Sequence, residues 1–182
     1  MNRLLAPAPS APPGAIFTEA DAWAALARVL DPEVPVLSVL ELGIVREVRV
    51  LARGVHVVVT PTYSGCPATE VIQHDIRSAL LAAGASAVSI ELQFAPAWTT
   101  DWISAEAAQK LRRYGIAPPH ATALHGAAEG ATQPLRFHPR NIHCPRCDST
   151  QTEQLSAFGS TACKALYRCL ACREPFEYFK PI

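Results

Sequence analysis

The chain has 182 residues, of which 49% are apolar and 18% charged, and its formal net charge at pH 7 is zero. This composition is typical of a globular protein with one ordinary domain and a small appended one. The balanced charge argues against nucleic acid as a partner, because a binding protein would carry a dense stripe of Lys and Arg. The chain has no uninterrupted apolar run of about 18 residues, so we expect no contact with a membrane and a cytoplasmic location.

Residues 1–15 contain four prolines and lack the apolar core of a signal peptide. They predict a flexible, proline-rich lead. Thr18, followed by acidic residues, predicts the start of a helix that ends before Asp31 and Pro32. Two runs rich in β-branched residues, 44–50 and 55–60, then predict a hairpin.

A second helix is predicted over 67–83, a third strand over 86–94 and a shorter helix over 104–114. Together, residues 16–116 predict an α+β domain in which helices cover one face of a small mixed sheet. The apolar face of the second helix is expected to comprise Val71, Ile76, Leu80 and Leu81.

Residues 117–137 contain Pro118, Pro119 and two glycines with little periodicity, and they predict a linker. Residues 138–182 then contain three short strand-like runs between paired cysteines. This pattern predicts a three-stranded zinc ribbon.

Four of the six cysteines form two C-x-x-C pairs, a spacing typical of a closed structural zinc site. Two disulfides or a redox pair are the competing interpretations, although disulfides need an oxidising compartment. Cys163 is left out of a four-ligand site and is interpreted as a small core residue. The predicted zinc ligands are Cys144, Cys147, Cys169 and Cys172.

Cys66 lies in a loop that precedes the second predicted helix, with Pro67 suited to the first helical position. A helix N-terminus favours a thiolate, which could serve as a nucleophile, a redox thiol or a soft-metal ligand. The alternative is a cysteine that only packs. A catalytic Cys–His pair finds little support, since His74 is about 12 Å further along the same helix.

Three segments resemble the iron-sulfur assembly domain of the SufT type: residues 31–35 (DPEVP), residues 42–45 (LGIV) and the loop that ends in Cys66-Pro67. With the ribbon and its segment 158–169 (FGSTACKALYRC), the chain resembles the PaaD (PaaJ) family of phenylacetyl-CoA epoxidase systems.

The resemblance implies an accessory protein of the phenylacetyl-CoA ring 1,2-epoxidase, an oxygenase of aerobic phenylacetate catabolism, and not an enzyme. It implies that the protein matures or inserts an iron or iron-sulfur centre through Cys66, with Asp31, Thr62 and Ser64 as neighbours. The alternative is a non-catalytic adaptor that holds oxygenase and reductase components together. Expected partners are the other subunits or the iron-sulfur assembly machinery, and a homodimer would supply further ligands, because one thiol cannot hold a cluster that needs four.

Overall fold

The computed structural model describes residues 16–120 and 142–182. The chain divides into two compact units, Met1–Trp98 and Thr99–Ile182. The predicted lead 1–15 lies outside the described residues, as do residues 121–137 of the predicted linker and the first residues of the predicted ribbon. Within the described ranges, no helix has both the length and the apolar character needed to cross a bilayer.

The first unit begins with helix α1, Glu19–Leu26. Thr18 caps this helix: its hydroxyl accepts from the Asp21 N–H at 3.2 Å, and the Asp21 carboxylate accepts from the Thr18 N–H at 2.9 Å. This reciprocal capping box fixes the predicted start of the helix. The apolar side of α1 is buried through Ala22, Ala25 and Leu26.

A three-stranded sheet follows, made of β1 (Val45–Leu51), β2 (Gly54–Val59) and β3 (Val88–Leu92) in that spatial order. Strands β1 and β2 pair antiparallel, and β2 and β3 pair parallel, so the sheet is mixed as predicted. Gly54 has a φ of +140°, and a Cβ there would lie 2.4 Å from the Ala87 carbonyl oxygen. Only glycine fits where the hairpin passes this close to the chain leading into β3.

Helix α2, Thr69–Ala82, begins two residues later than predicted, so Pro67 precedes it. The predicted apolar face was also wrong in part. Val71 and Leu81 are 47% and 46% exposed, whereas the buried residues are Ile72, Ile76 and Leu80. The buried stripe follows an i, i+4, i+8 spacing, which is the phase that packs α2 against α1 and β3.

The second unit contains helix α3, Ala105–Tyr114, whose first turn is capped by the Ser104 hydroxyl. Gly115 ends α3 in the left-handed conformation, and the two-residue strand β4, Ile116–Ala117, follows directly. The remaining strands are β5 (Thr152–Ser156), β6 (Lys164–Cys169) and β7 (Pro175–Phe179).

The ribbon sheet has four strands in the order β4-β7-β6-β5, not the three predicted. The added strand, β4, pairs in parallel with β7 through Ile116↔Glu177 and Ala117↔Tyr178. Helix α3 and the first residue of the predicted linker therefore belong to the ribbon unit. The observed division at Trp98 departs from the predicted boundary at residue 116, because β4 pairs with a strand about sixty residues further along.

Candidate metal centre and cysteine loop

Two tight turns carry the C-x-x-C pairs: the first knuckle, residues 144–148, and the second knuckle, residues 169–173. In the first, the Cys144 N–H donates to the Ser149 carbonyl at 3.0 Å, and in the second, the Cys169 N–H donates to the Glu174 carbonyl at 3.0 Å. The same hydrogen bond spans five residues in both turns. Each knuckle thereby turns both of its thiols toward one centre.

The Sγ atoms of Cys144, Cys147, Cys169 and Cys172 all lie within 4.8 Å of one another. The Cys144–Cys172 and Cys147–Cys169 sulfur distances are 3.8 and 3.5 Å, too long for disulfides, and all six cysteines are free. A tetrahedral zinc ion with Zn–S bonds of about 2.3 Å needs sulfurs about 3.8 Å apart. The four thiols fit zinc, which would have no open position and would act structurally.

The pKa values of these thiols are shifted in both directions: that of Cys169 is lowered, while those of Cys147 and Cys172 are raised. The Cys172 N–H donates to Cys169 Sγ at 3.4 Å and, as the largest of several causes, lowers the pKa of Cys169 to about 6. A thiolate is the form that binds zinc. Cys163 is not part of the cluster: it is buried, and its Sγ lies 3.0 Å from the Thr161 hydroxyl.

Charged side chains surround the knuckles. Arg146 of the first knuckle pairs with Glu174 beside the second, at 2.9 Å. Asp148 accepts from Arg112 of α3 at 2.7 Å and lies 2.9 Å from Nδ1 of His143. These contacts link both knuckles to each other and the first knuckle to α3.

Cys66 lies in the loop between β2 and α2. Its N–H donates to the Tyr63 carbonyl at 3.2 Å, and its own carbonyl accepts from the Thr69 N–H at 3.2 Å. These two turns hold the half-buried thiol just before the first turn of α2. The loop geometry therefore fixes the thiol without burying it completely.

The pKa of Cys66 is raised, not lowered as the helix N-terminus suggested. Burial is the main cause, and the negative charge of Glu33 adds to it. Hydrogen bonds from the Ala68 N–H and from the hydroxyls of Thr69 and Thr62 act in the opposite direction but are outweighed. Cys66 is therefore a protonated thiol at neutral pH.

Of the three predicted neighbours of Cys66, which are Asp31, Thr62 and Ser64, only Thr62 is among the groups that act on the thiol. Thr62 is buried and is among the groups that lower the pKa of the thiol, whereas Ser64 is exposed and is not among the groups that shift it. The Asp31 carboxylate accepts from the N–H groups of Glu33 and Val34, each at 2.8 Å. It shapes the loop that presents Glu33, and Glu33 is the acid that acts on the thiol.

Thr69 was missed by sequence reasoning. It lies outside the loop motif, and its only signal is its position as the first residue of α2, three residues after Cys66. A hydroxyl at that position can reach back to the preceding turn.

Comparison with known proteins shows which family the chain belongs to. The chain is 49% identical over 160 residues to a component of the "Putative 1,2-phenylacetyl-CoA epoxidase" of Escherichia coli (strain K12), covering 88% of this chain and 91% of that protein. The chain belongs to the PaaD family. The family model of the PaaD zinc beta ribbon domain matches residues 128–180 of this PaaD chain, and that of the iron-sulfur cluster assembly proteins matches residues 19–92.

Two further proteins are similar to about half of the chain. An "Fe-S protein maturation auxiliary factor" of Porphyromonas gingivalis (strain ATCC BAA-308 / W83) is 41% identical over 96 residues, covering 52% of this chain and 90% of that protein. A DUF59 domain of unknown function from Bacillus anthracis is 25% identical, with a TM-score of 0.48, over 51% of this chain and 90% of that chain.

Proposed function

We propose that this PaaD chain is a non-catalytic accessory protein of a phenylacetyl-CoA epoxidase system, and that it helps to mature or insert the iron or iron-sulfur centre of that system. Two findings support the proposal. The whole chain is similar to a protein named as a component of such an epoxidase, and residues 19–92 match the iron-sulfur cluster assembly proteins. Iron or a cluster would be the cargo of the first unit, and zinc the resident structural metal of the second.

The observation that carries the proposal is the environment of Cys66. A half-buried thiol is held in a fixed loop beside two hydroxyls, of Thr62 and Thr69, and the carboxylate of Glu33. Because its pKa is raised, the thiol must release a proton before its sulfur binds a metal, which weakens the bond at neutral pH. Weak, pH-dependent binding suits a thiol that passes its cargo on.

Cys66 is the only cysteine before residue 144 in the sequence. A cluster bound to the first unit would therefore take its remaining ligands from a client, from the assembly machinery or from a second copy of this chain. Mononuclear iron would need fewer protein ligands, and Glu33, whose negative charge acts on the thiol, offers a carboxylate.

One observation favours a second function, that of an adaptor between oxygenase and reductase components. The raised pKa leaves Cys66 neutral, which also suits a thiol that only packs. In that case the protein would be needed during turnover and not before it.

The Cys66→Ala variant separates these two functions, with Ser64→Ala as the control from the same loop. We expect Cys66→Ala to fold, keep its zinc and bind its partners, yet to yield an epoxidase complex deficient in iron or cluster and cells that do not grow on phenylacetate. Ser64→Ala should support normal iron content and growth. Normal iron content with Cys66→Ala would reject the maturation function.

An independent test asks whether the epoxidase needs this chain before turnover or during it. An assembly factor acts before turnover, so an epoxidase matured with the wild-type chain should stay active after the chain is removed. An immediate loss of turnover on removal would instead support the adaptor.

A further inference from the structure

A groove crosses the second unit at the end that carries the zinc knuckles. Two adjoining cavities of about 290 Å³ each share Arg112 and Pro145 in their linings. The first is completed by residues that include His143, and the second by residues that include Arg113 and Arg146. We call these two cavities together the basic groove; its lining includes Arg112, Arg113, Tyr114, His143, Pro145 and Arg146, together with the acids Asp148 and Glu174.

The lining of this groove carries more positive than negative charge, with Arg112, Arg113 and Arg146 against Asp148 and Glu174. Residues 99–182 contain ten Lys and Arg against seven Asp and Glu, an excess of three. The three chain segments that supply or flank these arginines, 109–115, 143–148 and 169–175, contain five against two, because they also include Lys110 and Arg173 outside the lining. The rest of the unit is therefore balanced, with five of each sign.

The two carboxylates of these segments are already engaged. Asp148 is paired with Arg112 and His143, and Glu174 is paired with Arg146. The Arg113 guanidinium instead donates to the neutral side-chain oxygen of Gln109 at 3.2 Å. Across the two described ranges, its charge is thus not matched by a carboxylate.

We propose that the basic groove binds an acidic segment of a partner protein. The planar guanidinium of arginine matches a carboxylate with two parallel hydrogen bonds. Next to Arg113 in the chain, Tyr114 is 56% exposed, and Pro145 and Phe176 contribute apolar side chains to the wall of the groove. Arginine and tyrosine next to apolar wall are the residues that dominate binding energy in protein interfaces.

A peptide fits this lining better than a compact polyphosphate does. Asp148 and Glu174 lie among the arginines, so they would repel a ligand that concentrates several negative charges at one point. A peptide spaces its carboxylates along an extended chain and can place apolar or neutral residues opposite these two acids. The proposal is independent of Cys66, because every residue of the groove belongs to the second unit.

The test uses the full-length, zinc-loaded chain and a fluorescein-labelled peptide in which Asp and Glu alternate with Tyr and Ala, with binding measured by anisotropy at low and physiological salt. The test variant is Arg113→Gln with Arg146→Gln. The control is Arg168→Gln on β6, an arginine as exposed as Arg112 at 45% and paired with Glu153. We expect binding to weaken about tenfold in the test variant and as salt is raised, and to be unchanged in the control.

Equal affinity of the test variant and the wild type, or equal losses in the test and control variants, would overturn the proposal. It would also be overturned if inorganic pyrophosphate displaced the labelled peptide at a lower concentration than the unlabelled peptide does, since the groove would then be a small-anion site. Zinc content is measured for every variant. Should the double variant lose zinc, Arg113→Gln alone decides by the same criteria, because Arg113 lies on α3 and outside both knuckles.

Discussion

Asp148 and Arg173 occupy equivalent positions: each directly follows the second cysteine of its knuckle, and each has a left-handed backbone, with φ of 62° and 68°. Glycine is the residue that adopts this conformation without steric cost, while other residues lose about 1 kcal/mol or more. Asp148 offsets that cost through its contacts with Arg112 and His143. No pairing of the Arg173 side chain is seen among the described residues.

This difference predicts opposite outcomes for two glycine substitutions. Arg173→Gly should relieve the backbone and stabilise the zinc-loaded second unit by about 0.5–1 kcal/mol. Asp148→Gly should gain the same relief but lose both side-chain contacts, leaving stability unchanged or lower. Zinc transfer to a competing chelator measures both: Arg173→Gly should need more chelator than the wild type, and Asp148→Gly should not. The same gain in both variants would show that the Asp148 contacts contribute nothing.

Removal of zinc should unfold the ribbon while the first unit persists. Structural zinc sites contribute on the order of 10 kcal/mol. The buried cluster that contains Cys144 and Cys169 also contains Ala117, Ile142, Phe176 and Tyr178, and these four residues would lose their packing if the two cysteines were no longer held by a metal. After chelation, amide hydrogen exchange should rise throughout β5, β6 and β7 and also in β4. Strands β1, β2 and β3 should stay protected.

Cys169→Ser should reproduce this exchange pattern without a chelator. Full zinc content in that variant would reject the assigned ligand set. Unchanged protection of β4 after chelation would show that Ile116 and Ala117 are held by α3 and not by the zinc-dependent sheet.

The raised pKa of Cys66 should be visible in its alkylation rate. Only the thiolate reacts, so the rate should keep rising with pH beyond the range of an ordinary cysteine, about 8.5. Cys66 should still react faster than the buried Cys163, because its sulfur is more accessible. The rate profile of each cysteine can be followed by mass spectrometry.

Glu33→Gln should shift that profile to lower pH, since removal of a nearby negative charge favours the thiolate. Glu91→Gln on β3 is the control, because Glu91 is not among the groups that act on Cys66. An identical profile for wild type and Glu33→Gln would place the carboxylate too far from the thiol to affect it.

A buried ion pair on the ribbon should matter more than its surface pairs. Lys164 Nζ lies 2.8 Å from Glu177, and the lysine side chain is 3% exposed. Glu177→Gln leaves a buried ammonium without its counter-charge and should destabilise the second unit by about 2 kcal/mol, whereas Glu153→Gln at the exposed Arg168 pair should cost less than about 0.5 kcal/mol. Denaturant unfolding of the zinc-loaded chain compares the two, and equal costs would refute the distinction.

The same pair predicts the direction of a pH effect. Burial raises the pKa of Glu177, but hydrogen bonds from Lys164 and Ser160 outweigh it and hold the pKa below its ordinary value of 4.5. A carboxyl group with a lowered folded-state pKa stabilises the protein above its unfolded pKa and loses that contribution as the pH falls through the folded value. Glu177→Gln should therefore flatten the loss of stability below about pH 4.5.

Local patterns in the sequence were enough to predict the hairpin, the cap at Thr18 and the cluster formed by the four paired cysteines. Each of these features has its signal in a short spacing, that of a cap, of a turn or of a single C-x-x-C pair, so the local sequence carries the information. Local spacing could not predict which face of α2 is buried. Val71 and Ile72 are adjacent and both apolar, and only the packing of α2 against α1 and β3 decides which of them is buried.

Two other features depend on contacts between distant segments. Strand β4 has two residues, too few to show a periodic pattern, and it forms because β7 offers a free edge. The pKa of Cys66 depends on Glu33, which is 33 residues earlier, and on the depth of burial. A helix N-terminus alone predicts the opposite shift, since burial in a folded loop cannot be inferred from the loop sequence.

The pairing of β4 with β7 affects the entropy lost when the segment of residues 118–141 is closed on folding. Ala117 pairs with Tyr178, and the Ile142 carbonyl accepts from the Thr152 hydroxyl at 2.7 Å, so residues 118–141 begin and end in the same unit. The entropy lost when the two ends of a chain segment are brought together grows with the logarithm of its length, by about 0.6 kcal/mol for each doubling. A reporter or affinity tag inserted in this segment should therefore cost little stability, and the covalent connection between the two units would remain the Trp98–Thr99 junction, unchanged in length.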